Sequence, residues 1–163
     1  MRFKSNLNAL LICSGLLLVK TASAVAATST ATVLVTASVL SVCTIAATPL
    51  PFGVYSSAAI SGTATLTVAC TLSTPYSVGL DAGTGAGATT TTRKMTNGTS
   101  SLNYQLFRDA GRTLNFGQTS GTDTSTGNGS GLPQLITVYG QILPGQNAAP
   151  GAYTDTVTAT ITY

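Results

Sequence analysis

The segment Tyr153-Thr154-Asp155-Thr156-Val157-Thr158-Ala159-Thr160-Ile161-Thr162-Tyr163 alternates without a break, with threonine at every even position. Successive side chains of a strand point to opposite faces, so this spacing predicts a β-strand. Tyr153, Asp155, Val157, Ala159, Ile161 and Tyr163 would share one face, and the five threonines the other. The sequence stops inside that predicted strand. The same period recurs near the other end, where Ala31, Val33, Val35, Ala37 and Val39 alternate with Thr32, Leu34, Thr36 and Ser38. It slips at Leu40, just before Val42-Cys43, which predicts a break between an extended arm and the first strand of a domain.

Between these ends, apolar residues again recur at spacing two in a chain rich in Thr, Val, Gly and Ser, and no segment has helical periodicity. Strands are predicted over residues 31–39, 63–72, 76–80, 101–108, 135–143 and 153–163. Turn chemistry separates them: Pro49, Pro51 and Gly53, then Asn97-Gly98, Asp109-Ala110-Gly111, Pro144-Gly145 and Pro150-Gly151. The pattern predicts an all-β, immunoglobulin-like sandwich. Residues 83–92 and 119–131 are low in complexity and are expected to be exposed, mobile loops. A sandwich that lacks a closing strand, preceded by an arm with strand pattern, has an unpaired edge and a spare strand. The simplest use of both is strand donation between subunits. The donor face would be Ala31, Val33, Val35, Ala37 and Val39, and the acceptor edge Val157, Ala159, Ile161 and Tyr163.

The first residues read as a secretory signal, with Arg2 and Lys4 before an apolar run from Leu7 to Val19. Small residues follow at Ala22-Ser23-Ala24 and Ala24-Val25-Ala26, either of which suits cleavage. The run is shorter than the roughly 20 residues of a membrane-spanning helix. The expected organisation is therefore a signal over 1–26, an arm over 27–40 and one domain over 41–163. Cys13 lies in the signal, leaving Cys43 and Cys70, which an exported chain is expected to pair. Closing a loop of that length is worth ~3.6 kcal/mol on the chain-entropy model.

Charge is equally informative. Of a net +3, all is carried by Arg2, Lys4 and Lys20 in the expected signal. Beyond it, Arg93, Lys94, Arg108 and Arg112 balance Asp81, Asp109, Asp123 and Asp155. No basic stripe is left to neutralise phosphates, which excludes the usual nucleic-acid binder. So little charge also removes the repulsion that keeps small domains apart.

The chain has no His, Glu or Trp. Triads with histidine, histidine metal sites and glutamate acid–base pairs are thereby excluded, and no cofactor is expected. Asp81-Ala82-Gly83-Thr84 faintly resembles an aspartic-protease turn, but that chemistry needs two carboxylates in matching turns. A strand end followed by a Gly turn accounts for the same residues. Asp123 and Asn128 could offer oxygens to calcium, although a single carboxylate makes a poor site. Asn97-Gly98-Thr99 and Asn128-Gly129-Ser130 match the glycosylation sequon, and for the first a tight hairpin turn is an equal explanation. Tyr55, Tyr76, Tyr104, Tyr139, Tyr153 and Tyr163 could stack on sugars, but most fall within predicted strands, where packing explains them.

The ordered landmarks from Cys43 to Tyr163 carry a resemblance. They include Pro51-Phe52-Gly53-Val54-Tyr55, Val68-Ala69-Cys70, Arg93-Lys94-Met95, Leu102-Asn103-Tyr104-Gln105-Leu106-Phe107-Arg108-Asp109, Phe116-Gly117, Tyr139-Gly140-Gln141-Ile142 and Gly151-Ala152-Tyr153-Thr154-Asp155. Together these resemble the spore coat protein U domain, the subunit family of archaic chaperone-usher pili; Phe116 stands where Trp is commoner. The resemblance implies a structural subunit lacking its final strand, lent one first by a periplasmic chaperone and then, at an outer-membrane usher, by the arm of an identical or related subunit. It implies export through the periplasm to the cell surface, and roles in adhesion and biofilm formation. The alternatives are a secreted lectin-like module completed by its own arm, and a spore-coat structural protein.

Overall fold

The computed structural model describes residues 23–163, so all but the last four residues of the expected signal lie outside it. No described residue is helical. Eight strands form in chain order: β1 (Cys43–Ala47), β2 (Ile60–Cys70), β3 (Pro75–Leu80), β4 (Arg93–Asn97), β5 (Ser100–Phe107), β6 (Ser125–Asn128), β7 (Gln134–Ile142) and β8 (Ala159–Thr162). They build a five-stranded sheet, β1-β2-β7-β5-β4, and a three-stranded sheet, β6-β3-β8. Every pairing is antiparallel. The fold is the all-β sandwich that the spacing predicts.

Alternation decides which side of each strand is buried. Ala64, Leu66 and Val68 of β2, Tyr76, Val78 and Leu80 of β3, Leu102, Tyr104 and Leu106 of β5, and Val138 and Ile142 of β7 form the buried core, with Phe116 from a loop. Burying each large aliphatic side chain stabilises the fold by roughly 1.5–3 kcal/mol. Cys43 and Cys70 stand opposite each other on β1 and β2 and are joined by a disulfide, as expected. Asn97 faces Ser100 across a two-residue turn in which Gly98 has φ +60°. Glycine at the first central position is what such a hairpin turn requires, so the turn explanation of Asn97-Gly98 holds.

The segment 153–163 is not one strand. Thr154 exchanges two hydrogen bonds with Thr96 of β4, in the larger sheet, whereas Ala159–Thr162 pairs with β3 in the smaller one. A chain that changes sheets leaves a stretch with no ladder, and residues 155–158 are that stretch. The predicted facing nevertheless persists: odd residues from Tyr153 to Ile161 are half-buried and even ones exposed.

Two loops are more ordered than their composition suggests. Within 119–131 the structure forms β6 against β3. Within 83–92, Thr84 donates to Asp155, and Thr89 and Thr92 exchange backbone hydrogen bonds. Residues 93–97, to which the sequence patterns assign no strand, form β4.

The chain divides into two units after Ala37. In the first, the described residues form no strand, and Val33, Leu34 and Val35 are 84–90% exposed. The predicted strand over 31–39 is therefore absent as a strand. Its period is real, but a strand is defined by pairing, and an unpaired segment has no ladder to form.

Candidate functional site

Along one side the edge strands of the two sheets approach each other without pairing. β1 ends the larger sheet and β8 ends the smaller one, and no ladder joins them. A cleft of about 430 Å³ opens past the end of β1 and the start of β8, reaching Ala47 of the first and Ala159 of the second. Ala64, Leu66, Leu106 and Val138 floor it, residues 47–52 form one wall, and Tyr153, Val157 and Ala159 contribute to the other. With one neighbour, β3, β8 keeps an edge free of strand partners among the described residues. Unpaired backbone beside apolar side chains is a surface shaped for an added strand.

The wall at 47–52 depends on two glycines. Gly62 and Gly140 pair across β2 and β7. A Cβ on Gly62 would lie 2.7 Å from the Pro51 carbonyl oxygen, and one on Gly140 2.8 Å from the Phe52 ring. Only residues without a side chain let Leu50, Pro51 and Phe52 fold down onto the sheet. The Phe52 ring then meets Tyr104 edge-on at 5.8 Å between centroids.

The ladder-free stretch of the other wall is held by carboxylates. Asp155 Oδ1 accepts from Thr84 N, Thr84 Oγ1 and Thr156 N, while its Oδ2 accepts from Tyr104 Oη at 2.7 Å. Asp81 Oδ1 accepts from Gly83 N and Thr158 N, each at 2.9 Å. Burial pushes the Asp81 carboxyl up, but the N–H groups of Thr158 and Gly83 and the charge of Arg93 outweigh it and hold it below its ordinary value. Burial and the bond to Asp155 push the Tyr104 phenol far up, so it remains a donor.

Behind these carboxylates sits Arg93, fully buried. Its guanidinium donates to the carbonyls of Asp81, Thr90, Leu80 and Phe116 at 2.7–3.0 Å. Burial pulls its pKa below the ordinary value. It ties β4 of one sheet to the end of β3 in the other. The sequence patterns pass over this role. The available signal is the alternation of Arg93-Lys94-Met95, which puts Arg93 on the inward face with Met95.

The remaining candidates resolve as structure. All four aspartates of the chain accept backbone N–H groups; Asp109 takes those of Thr113 and Leu114, and Asp123 that of Thr119. Asp81 and Asp155 act as staples, which leaves the protease likeness without content. Asp123 also accepts from Asn115, and among the described residues no three His, Cys, Asp or Glu gather as a metal would need. Tyr76 and Tyr104 are buried, and Tyr163 is 56% exposed. Of the named edge residues, Val157, Ala159 and Ile161 pack partly buried against the core. Of the named arm residues, Val39 is 90% exposed, and Ala31 and Ala37 are exposed like Val33 and Val35. No described helix is long and apolar enough to cross a membrane.

The sequence profile of the Spore Coat Protein U domain matches residues 29–160. Protein U of Myxococcus xanthus is 38% identical over 164 residues, covering 90% of this chain and 91% of that protein. Among solved structures, one similar chain belongs to the chaperone–tip adhesion subunit pre-assembly complex from the archaic chaperone-usher Csu pili of Acinetobacter baumannii. The TM-score is 0.59 at 22% identity, over 77% of this chain and 40% of that one. The likeness is one of fold, and this chain spans less than half the length of its counterpart.

Proposed function

Because the chain belongs to the Spore Coat Protein U domain family, we propose that it is a structural subunit of a surface pilus, assembled by donor-strand exchange and supporting adhesion and biofilm formation. The observation that carries this reading is the open cleft beside the free edge of β8. Residues 27–40 supply the complementary part. An extended segment from Ala31 to Val39 spans ~30 Å, the length of a sandwich groove. Ala31, Val33, Val35, Ala37 and Val39 enter the cleft of a neighbouring subunit, along Val157, Ala159, Ile161 and Tyr163. Before assembly a periplasmic chaperone occupies the same cleft, and an outer-membrane usher exchanges the two. The subunit is exported with its signal removed, works without catalysis, and ends on the cell surface.

The test is the double substitution Val33→Asp/Val35→Asp, which puts charge into an apolar cleft at several kcal/mol per site. The variant should still be pulled down with its chaperone and should form no fibres by electron microscopy. Normal fibres would falsify the donor assignment, and loss of chaperone binding would mean that the arm completes its own domain. The likeness to Protein U over 91% of that protein favours a second reading, in which the same exchange builds a coat layer. Immunogold labelling of cells and spores separates the two.

A further inference from the structure

We infer that, beyond the donated strand, successive copies of this chain bind each other end to end through two uncharged apolar caps; this rests on the donor-strand reading. The first cap is at the disulfide end. Thr71 N donates to Val42 O and Gly131 N to Cys70 O, which brings Val42, Leu72 and Leu132 around one point. These side chains are 51%, 74% and 69% exposed. The second cap is at the opposite end of β2 and β7. There Tyr55 Oη donates to Leu143 O and accepts from Gln146 N, tying the segment that carries Val54, 88% exposed, to the one that carries Leu143, 47% exposed.

Chain length dictates the occupant. Antiparallel pairing is the more stable choice against β8, and a donor so placed leaves the cleft at the Val54 end. Only four Cα steps separate Val39 from Cys43, a reach of at most ~14 Å. The disulfide cap of the donating copy is thereby forced against the Val54 cap of the accepting one. Charge distribution agrees. Residues 21–80 and 124–154, which supply both caps, contain no Asp, Glu, Lys, Arg or His. Depletion of charge is the mark of an interface core. The contact is heterologous, so it propagates along a fibre instead of closing on itself.

The test uses full-length subunit with chaperone and usher. A benzophenone photo-crosslinker in place of Leu132 should join neighbouring subunits, with the adduct mapping by mass spectrometry to residues 52–55 or 143–145. Val54→Asp should leave fibres assembled but lower that yield and the fibre persistence length several-fold, and adding Leu132→Lys should restore the stiffness. Adducts on β4 or β6, or unchanged stiffness in Val54→Asp, would overturn the contact. Should Val54→Asp fail to fold, the crosslink map alone decides. An unchanged crosslink in the Val33→Asp/Val35→Asp variant would instead defeat the donor-strand reading and leave the end contact standing.

Discussion

β3 and β8 are adjacent strands of the same sheet with the same inward period, yet they are buried differently. In β3, Tyr76, Val78 and Leu80 are 0–7% exposed. In β8, paired with it residue for residue, Ala159 and Ile161 are only half-buried. Composition does not explain this, since both present aliphatic side chains to the same core. β3 has a neighbour on each side and β8 has one. The deficit in burial follows from that single neighbour, and at Ala159 it borders the cleft. The same contrast appears in how the sheets are joined. On the β3–β4 side a buried arginine of β4 ties them by two hydrogen bonds to Leu80 O and Asp81 O at the end of β3, whereas on the β1–β8 side no ladder does.

The contrast can be broken most severely at the tied side. Arg93→Met keeps volume but leaves four carbonyls without their donor, and it should cost roughly 3–5 kcal/mol, a large share of a small domain's stability. Loss of soluble, chaperone-bound subunit measures it; a soluble variant with unchanged urea midpoint would mean that water replaces the guanidinium. Next, Val78→Ala in β3 should cost about 2–3 kcal/mol, and Ile161→Ala in β8 about 1 kcal/mol or less. Both follow from urea unfolding monitored by tyrosine fluorescence. In assembled fibres the two costs should converge, because an added strand buries Ile161 as fully as Val78; equal costs already in the free subunit would remove the contrast.

The smallest expected effect is that of pH. The Asp81 carboxyl is held below its ordinary value by hydrogen bonds that fix Thr158 just before β8. A depressed carboxyl contributes stability above the unfolded pKa of about 3.9 and loses it as pH falls through the folded value. Stability should thus be flat from neutrality to about pH 5 and decline from about pH 4 downward. Asp81→Asn should flatten part of that decline, as read from urea midpoints across the range.

How much of this was legible depends on whether the signal is local. The facing of residues 153–163 could be read because every second residue is threonine, and the disulfide because only two cysteines lie beyond the expected signal. The change of sheet within that segment could not. It depends on Thr96 and Asp81, which are distant in sequence and carry no mark of it. β6 was illegible for a related reason. Ser125-Thr126-Gly127-Asn128 has the composition of a turn and becomes a strand only because β3 pairs with it and the Tyr76 ring covers Gly127. The arm is the reverse case, with clear strand periodicity and no strand, since pattern specifies a face but not the partner that meets it. The cleft itself was legible only as the expectation of an unpaired edge. Its wall at Leu50–Phe52 rests on the facing pair Gly62 and Gly140, which no local pattern reveals.

The central claim is that the edge of β8 takes a strand from the arm of another copy. Hydrogen exchange tests it most directly, comparing the subunit alone with the subunit holding a synthetic peptide of residues 31–39. Exchange should slow at residues 157–163 and 45–52, remain unchanged in β2 and β7, and show no response to a peptide carrying aspartate at positions 33 and 35. Unchanged exchange in β8 at saturating peptide, or protection confined to the edges of β4 or β6, would contradict the account.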